Sequence, residues 1–499
     1  MGNIRRLSIL SSLVIYLGFV IGAFNTYLFV KEGNFTPEEY GLTRLFNDIG
    51  IIFFSFAMLG VQSYIFKFQP FYKQNLPRKE NDQPALSFLV ATFGFVLVTI
   101  AAILFEPLFI QKFSKKSSLL INYYYWMLPF TFGILYFTLL ESFAWFHQKS
   151  ILTNFLKETG IRFIQSILIL LYLFKLLNFD LFIKLFSLTY IVVAIVLFCY
   201  MVYTKSIEFN FKISRVTKKF SKKILSLMSL VYFSLIVSTV SLYIDSLIIG
   251  SISERGLIDV GIYTLASFIA TTIQVPQRGI ISAVIPVLSN SWKAKDYKEI
   301  SRLYSRTSIN LLLVALFIFF LIWLNINDAF SVFNIDSNYE LGKYVILILG
   351  VSKIIDAGTG VNSQIIATSN YWKFETFTGI LLITISIPLN YYLVKIYGIN
   401  GAALSNLIAF IIYNIVRMYF IWYKFKMQPF SSKTLLAIVI PIIIYAICYF
   451  GFDQLSGWGA MMLRSAVFAT LFIASLFYFK MTPDVHQLWD LVIKRFRRY

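Results

Sequence analysis

The chain has 499 residues, of which 58% are hydrophobic and only 14% are charged, and its mean hydropathy is +0.74. Soluble domains are about 45–50% apolar, so this composition excludes an ordinary soluble protein and indicates an integral membrane protein. The two cysteines, Cys199 and Cys448, both lie in apolar runs, which argues against a disulfide scaffold or a thiolate metal cluster. The formal net charge of +20 is compatible with binding to nucleic acid, to an anionic membrane surface or to an anionic substrate. The positions of the charges decide among these possibilities.

Fourteen apolar runs are long enough to cross a bilayer, whose hydrocarbon core requires about 20 residues per helix. The first run follows Arg5 and Arg6, but it is too long for a secretory signal peptide and lacks a small-residue cleavage site. We therefore predict an all-α integral membrane protein with 14 transmembrane helices. The predicted spans are 8–30, 45–66, 86–108, 121–144, 158–177, 181–204, 224–250, 262–290, 308–325, 343–368, 372–394, 400–422, 434–451 and 460–479.

The basic residues predict the orientation of these spans, because Lys and Arg in short loops resist translocation. With both termini in the cytoplasm, the cytoplasmic segments hold 29 Lys and Arg residues, the outer loops hold 10, and five lie within spans. Most of the positive charge therefore lies on one predicted face, where it would attract anionic lipid headgroups. Nucleic acid is not needed to explain it.

The two halves of the chain show an internal repeat. Asn25 and Asp245 are 220 residues apart, as are Gly41 and Gly261, while Glu141-Ser142 resembles Asn362-Ser363 at an offset of 221. We predict parallel repeats of six spans, an organisation found in transporters that bind substrate at the repeat interface. The predicted parts are an N-lobe (1–204), a basic cytoplasmic linker (205–223), a C-lobe (224–424), two further helices (425–480) and a cytoplasmic basic tail (481–499).

Short motifs occur in register with these spans. They are Gly18-Phe-Val-Ile-Gly-Ala-Phe-Asn25, Glu38-Glu-Tyr-Gly-Leu42, Asp245-Ser-Leu-Ile-Ile-Gly250, Val260-Gly-Ile-Tyr-Thr264, Gln274-Val-Pro-Gln-Arg-Gly279 and Gly398-Ile-Asn-Gly-Ala-Ala-Leu404. Together they resemble the Wzx-like polysaccharide flippases, a branch of the multidrug/oligosaccharidyl-lipid/polysaccharide exporter superfamily. The resemblance extends from Gly18 to about Lys480.

This resemblance implies a V-shaped, two-lobed, MATE-like transporter in a bacterial inner membrane. Its expected substrate is an undecaprenyl-pyrophosphate-linked oligosaccharide, such as the repeat unit of an O-antigen of lipopolysaccharide, a capsule or an exopolysaccharide. Alternating access would carry that substrate from the cytoplasmic to the periplasmic leaflet. Expected partners are the lipid-linked substrate, anionic membrane lipids, and a polysaccharide polymerase and glycosyltransferases.

Charged residues inside membrane spans are costly, so they mark a transport pathway or pair with one another. Arg278 lies deep in span eight, and an arginine forms charge-assisted, often bidentate hydrogen bonds to a pyrophosphate. Pro276 would bend the helix beside it. The predicted substrate-binding residues are Arg278, Lys353, Arg44, Asn25, Asp48 and Asp356.

Structural explanations compete with each of these assignments. Arg44 and Asp48 are four residues apart and can pair on one helix face, and Lys353 and Asp356 can do the same at a spacing of three. Arg278 could instead form an ion pair between lobes or extend towards the inner membrane surface.

Two further groups are candidates for coupling and gating. Asp245 matches Asn25 in the repeat and could bind a coupling cation or proton, although it could equally bond to span eight. Multidrug exporters of the same superfamily often use an acid in the first span, which Asn25 cannot replace. Glu141, Glu158 and Arg162 are predicted inner-gate residues, with helix packing as the alternative.

Other classes of protein are less consistent with the sequence. It contains no GxxxxGK[ST], HExxH or GxSxG motif, and we predict neither a cofactor nor an enzyme. A membrane glycosyltransferase or polymerase would usually carry a sizeable soluble domain, which the short loops do not provide. A cation-coupled multidrug antiporter is the nearer alternative. The last residues, 484–499, alternate apolar and basic side chains and predict an interfacial amphipathic helix.

Overall fold

A computed structural model describes residues 2–452 and 454–482. These residues are almost entirely helical and form no β-strand, which confirms the predicted all-α fold. The predicted amphipathic tail lies outside the described residues. Contacts divide the chain into two compact units, Met1–Gly261 and Ile262–Tyr499.

The first unit contains ten helices and a six-residue π-helix, Phe155–Gly160, which joins α7 to α8. The helices are α1 (Gly2–Val30), α2 (Pro37–Ala57), α3 (Val61–Asn75), α4 (Gln83–Phe113), α5 (Ser118–Ile121), α6 (Met127–Phe146), α7 (Ser150–Asn154), α8 (Ile161–Leu173), α9 (Phe179–Tyr203) and α10 (Arg215–Ile252).

The remaining helices belong to the second unit, apart from the start of α11, which precedes the division. They are α11 (Leu257–Thr271), α12 (Val275–Lys293), α13 (Tyr297–Val332), α14 (Lys343–Gly358), α15 (Asn362–Thr368), α16 (Trp372–Phe425), α17 (Ser432–Gly451) and α18 (Gly457–Tyr478).

Polar side chains start several of these helices by accepting hydrogen bonds from otherwise unpaired backbone N–H groups. At α2, Thr36 accepts from the Glu39 backbone while the Glu39 carboxylate accepts from the Thr36 backbone, a reciprocal capping box. Asn178 caps α9, Ser214 caps α10 and Asp296 caps α13, and each of these side chains accepts one hydrogen bond from a backbone N–H of the first turn. Loop residues between the apolar runs thus fix where these helices begin.

The apolar helices agree with the predicted spans, although they do not give the same count. Within the described ranges, nine helices are long and apolar enough to cross a membrane, and eleven if two bent pairs each form one span. The bent pairs are α2 with α3, at 49°, and α14 with α15, at 46°. The chain is therefore a multi-pass membrane protein, and the number fourteen stays a prediction, as does the orientation of the termini.

The helix α16 covers two predicted spans and folds back on itself at Gly398. The Ser405 hydroxyl donates to the Ser386 carbonyl at 3.3 Å, whereas 19 residues of straight helix would extend about 28 Å. Gly398 has φ 56° and ψ −136°, a conformation that side chains disfavour. A Cβ on Gly401 would lie 2.0 Å from the Leu393 carbonyl oxygen. The Gly-Ile-Asn-Gly motif thus forms the turn of a helical hairpin.

The last two helices pack on α13. The buried Arg464 of α18 pairs with Asp328 of α13, whose other oxygen accepts from the Gly457 backbone N–H at 3.1 Å. One turn away, Asn325 donates to Ser465 at 2.9 Å. A charge pair and a helix-capping bond therefore anchor this additional helix pair to the second unit.

The helix α10 packs against α2 and α3 of the first unit. The repeat in the sequence instead groups it with the second half, starting at residue 224. The predicted domain boundaries stay a prediction, but α10 is, by its contacts, part of the first unit.

Candidate functional site

The two glycines matched by the repeat, Gly41 and Gly261, contact each other. A Cβ on Gly41 would lie 1.8 Å from the Leu257 carbonyl oxygen and 3.0 Å from the Gly261 nitrogen, and one on Gly261 would lie 2.5 Å from the Pro37 carbonyl oxygen. The starts of α2 and α11 therefore cross at a distance that only glycine allows. The second helices of the two repeats thus meet at equivalent residues.

Polar residues of α2 and α10 face each other one to two turns beyond this crossing. The Asp48 carboxylate is within hydrogen-bonding reach of Ser246 and accepts a 3.4 Å bond from the Asn47 amide. Tyr243 lies on α10 one helical turn before Ser246 and Leu247, and its hydroxyl is close enough to Asp48 to interact with the carboxylate charge. Asp245 is half-buried on the same stretch of α10. Asp245, the predicted coupling residue, directly precedes Ser246 on α10, the helix that lies beside Asp48.

Arg44 lies one turn from Asp48 without pairing with it. Its guanidinium is stacked 4.8 Å from the centre of the Tyr40 ring, and its Nε atom is buried with no hydrogen-bond partner. Within the described part of the chain, no carboxylate oxygen approaches the Arg44 side chain to 4.0 Å. Arg44 and Asp48 therefore form no ion pair within 4.0 Å, although they are close enough for their charges to attract each other.

Asn25 is buried between α1 and α8. Its amide nitrogen donates to the Arg162 carbonyl at 2.8 Å, and its oxygen accepts from the Ser166 hydroxyl at 2.6 Å. Both ends of the amide are thus used in packing. Gly18 and Gly22 lie on the same face of α1, where a Cβ on Gly18 would be 2.3 Å from the Glu158 carbonyl oxygen. A substrate-binding role for Asn25 stays a prediction.

The predicted inner-gate residues form two ion pairs. Glu158 and Arg162 pair at 3.2 Å, as their spacing predicts, with both side chains about one-third exposed. The buried Glu141 pairs instead with Lys157, at 3.1 Å, a partner that sequence reasoning missed. The acid Glu158 lies within the π-helix, a rare element that is frequent at functional sites. Tyr190 of α9 lies within electrostatic range of both pairs.

In the second unit, Asp356 forms part of a polar network. It accepts hydrogen bonds from the Gln274 amide at 2.8 Å and the Asn414 amide at 3.3 Å. The Asn414 oxygen in turn accepts from Thr359 at 2.9 Å and Asn362 at 2.8 Å. The network joins α14, the break before α15, the start of α12 and the second arm of α16. Gln274, Asn414 and Asn362 were not predicted as site residues, because uncharged amides carry no distinctive sequence signal.

A second charged group lies beside this network. The buried Arg417 forms an ion pair with Glu375, and the Arg417 Nε donates a hydrogen bond to the Thr378 hydroxyl at 3.1 Å. The Glu375 carboxylate also accepts a hydrogen bond from the Ser363 hydroxyl at 2.7 Å. The Arg417 guanidinium also lies 3.7 Å from the centre of the Tyr413 ring. Its charge is therefore fully compensated, which suits a structural role in holding the α16 hairpin together.

The remaining two basic candidates differ in their surroundings. The half-buried Lys353 ammonium lies 5.2 Å from the centre of the Phe410 ring. Arg278, in the first turn of α12, is exposed, and no carboxylate of the described residues lies within 4.0 Å of it. Three arginines in the apolar helices, Arg162, Arg417 and Arg464, thus form direct ion pairs with acids, whereas Arg44 and Arg278 form none among the described residues.

A metal centre receives no support from the described side chains. Among them, no group of three or more His, Cys, Asp or Glu residues is arranged to hold a metal ion.

One family model and several solved structures match this chain. A family model described as MatE matches residues 231–392. The structure of lipid II flippase MurJ in an inward closed conformation is similar, with a TM-score of 0.73 and 15% identity, covering 95% of this chain and 99% of that one. Curated protein sequences give no match.

Multidrug transporters share less of the chain. An inward-facing multidrug resistance MATE family transporter of the MOP superfamily has a TM-score of 0.64 and 15% identity, covering 83% of this chain and 94% of that one. The multidrug transporter DinF-BH in complex with R6G has a TM-score of 0.51 and 16% identity, covering 84% and 95%. The chain therefore has the all-helical fold of the MurJ and MATE transporters, and residues 231–392 match the MatE family model.

Proposed function

We propose that the protein is a polysaccharide flippase that moves an undecaprenyl-pyrophosphate-linked oligosaccharide across a bacterial inner membrane by alternating access. The observation that carries the proposal is that, among the described residues, no carboxylate lies within 4.0 Å of Arg44 or Arg278. The repeat unit of an O-antigen, a capsule or an exopolysaccharide is the substrate class.

The physical argument rests on the cost of charge in a membrane. An arginine in a membrane-spanning helix is costly unless a carboxylate or another anion compensates it. Arg162, Arg417 and Arg464 have such carboxylates. In the described part of the chain, Arg44 and Arg278 have no carboxylate within 4.0 Å, and an anionic phosphate substrate would pair with them through bidentate hydrogen bonds. A cationic drug would be repelled by the same two groups.

The extent of structural similarity also supports a flippase. The lipid II flippase covers 95% of this chain, whereas the multidrug transporters described above cover 83% and 84%. At 15% identity this likeness concerns the fold, and the substrate argument depends on the arginines.

A cation-coupled multidrug antiporter of the same superfamily is the second candidate. The observation that favours it is the carboxylate of Asp356, which has neutral amide donors, Gln274 and Asn414, at its two oxygens. Such a carboxylate is a candidate ligand for a coupling cation. Under the flippase proposal, Asp356 and Asp48 contact the sugar hydroxyls, and Asp245 serves coupling.

The test measures which leaflet holds the lipid-linked oligosaccharide in cells that lack the gene. We expect accumulation on the cytoplasmic leaflet, reversed by the unmodified gene. Arg44→Ala and Arg278→Ala should each reduce this complementation by about tenfold or more, since a hydrogen bond to a charged group contributes about 1.5–3 kcal/mol. Membrane levels of both variants should remain normal.

Arg302→Ala is the matched control, because Arg302 is exposed on α13 and is already paired with Glu299. It should complement fully. Unchanged leaflet distribution in the deletion strain, together with increased sensitivity to cationic dyes, would establish the antiporter instead. Full complementation by Arg278→Ala would remove that residue from the site.

A further inference from the structure

A buried carboxylate lies outside the site described above, in the loop between α3 and α4. Asp82 is 1% exposed, and none of the described Lys, Arg or His side chains lies within 4.0 Å of it. One of its oxygens, Oδ1, has no hydrogen-bond partner. A buried charge without a counterion requires another source of compensation.

Asp82 lies at the start of one long helix and accepts hydrogen bonds from the start of another. It immediately precedes the 31-residue helix α4, and its Oδ2 accepts from the Ser214 backbone N–H at 2.8 Å and the Thr217 hydroxyl at 2.7 Å. Ser214 is the capping residue of the 38-residue helix α10. The N-terminus of a helix carries a partial positive charge and unpaired N–H groups, so the start of α10 is a favourable place for an acceptor oxygen of Asp82.

A hydrogen-bond chain continues from this carboxylate into α3. The Thr217 hydroxyl bonds to Tyr72 at 2.5 Å, and Tyr72 bonds to Tyr64 at 2.8 Å. Beside it, Arg215 donates to the Asn75 carbonyl at 2.9 Å. Asp82 therefore connects the starts of α4 and α10 to the face of α3.

Most of the other contacts of α10 in this region are apolar. The Phe220 ring packs 5.7 Å from Phe68 and 5.3 Å from Phe71, and Ile224 is buried in the same hydrophobic cluster. Apolar contacts of this kind are non-directional, so they do not by themselves fix the position of the helix start. The hydrogen bonds to the Asp82 carboxylate are directional and charge-assisted.

We propose that Asp82 is a latch that holds the start of α10 against α3 and α4, and that its opening releases α10 from the first unit during the transport cycle. By the repeat, α10 is the first helix of the second half, yet it packs with the first unit. A releasable attachment reconciles these two facts. The latch is a property of the fold and holds for either candidate substrate.

The experiment uses a single reporter cysteine on the buried face of α10. In the full-length protein with Cys199→Ser and Cys448→Ala, Ile224→Cys is labelled with a maleimide in lipid nanodiscs. Asp82→Asn should raise the labelling rate by about tenfold, because it removes the charge from two hydrogen bonds. Thr217→Val removes one bond, and we expect a smaller increase in the same direction.

Asp296→Asn is the matched control, because Asp296 caps the single helix α13 with one hydrogen bond to the Glu299 backbone. It should leave labelling of Ile224→Cys unchanged. A second reporter, Leu168→Cys in the buried part of α8, should be unaffected by Asp82→Asn, which distinguishes local release from general loosening. The latch is refuted if Asp82→Asn and Thr217→Val both leave Ile224→Cys protected, or if the two reporters respond equally. The measurement contains no substrate, so its outcome is independent of the proposed function.

Discussion

The helices α1 and α10 occupy equivalent positions in the two repeats, yet they dock in different ways. The face of α1 with Gly18, Gly22 and Asn25 packs closely on the π-helix and α8. At the same offset of 220, α10 has Ser238 and Leu242 in place of the glycines, and Leu242 is 75% exposed. The close approach seen in α1 depends on the absence of a Cβ, so α10 cannot reproduce it and packs through other residues on α2 and α3.

This difference shows how a repeat can produce two functions from one position. The glycines fix α1 to its own half through backbone-level contacts. The corresponding positions of α10 hold exposed side chains, and the helix is held instead by side-chain hydrogen bonds, such as that from Tyr232 to the Phe56 carbonyl, and by apolar contacts. We infer that α1 is a permanent part of its bundle, whereas α10 is the exchangeable helix.

The largest expected effect comes from Gly18→Leu. A Cβ at this position would lie 2.3 Å from the Glu158 carbonyl oxygen, so the side chain would force α1 away from the π-helix at a cost of about 3 kcal/mol or more. We expect a large loss of folded protein, measured as membrane level and melting temperature in detergent. Ser238→Leu, at the equivalent exposed position of α10, should have little effect. Equal melting temperatures for the two variants would contradict the comparison.

The next largest expected effect distinguishes Asn25 from Asp245, the two polar residues that the repeat matches. Asn25→Leu removes hydrogen bonds to Arg162 and Ser166 and should destabilise the protein by about 1–3 kcal/mol, seen as a lower melting temperature. Asp245→Asn should abolish transport driven by an ion gradient in proteoliposomes. Undiminished gradient-driven transport in Asp245→Asn would show that this carboxylate has no part in coupling.

The smallest expected effect concerns His147, in the turn after α6 that leads to the π-helix. Burial, followed by the nearby charges of Arg78, Lys73 and Lys149, lowers the pKa of His147 below its usual value. The folded state therefore favours neutral histidine, and its contribution to stability is present above about pH 6.5 and is lost as the pH falls below that value. His147→Gln should flatten the melting temperature between pH 7 and pH 5. An unchanged slope would exclude His147 as its source.

Much of the fold follows from periodicity and composition alone. Runs of about 20 apolar residues predicted where the helices lie, and the repeat offset matched Gly41 with Gly261, which contact each other. Local pairs were also accessible, since Glu158 and Arg162 are one turn apart on the same helix face. These features depend on spacing along one segment, which a sequence displays directly.

The partners of most charged side chains were not accessible in this way. Arg417 and Glu375 are 42 residues apart and meet because the chain reverses at Gly398, and Asp328 meets Arg464 across 136 residues. Conversely, Arg44 and Asp48 have a favourable spacing but do not pair, because Arg44 stacks on Tyr40 and Asp48 faces Ser246. Spacing shows which groups could meet, whereas side-chain direction and neighbouring helices decide which do.

The anchoring of α18 has a consequence for engineering a shorter transporter. Deleting α17 and α18 would remove Arg464 and the Gly457 backbone N–H from Asp328, and would leave a carboxylate inside α13 with neither its counterion nor its backbone donor. A truncated chain ending near residue 425 would therefore need Asp328 changed to an apolar residue before it could fold in a bilayer. The two terminal helices are an integral part of the second unit rather than a removable extension.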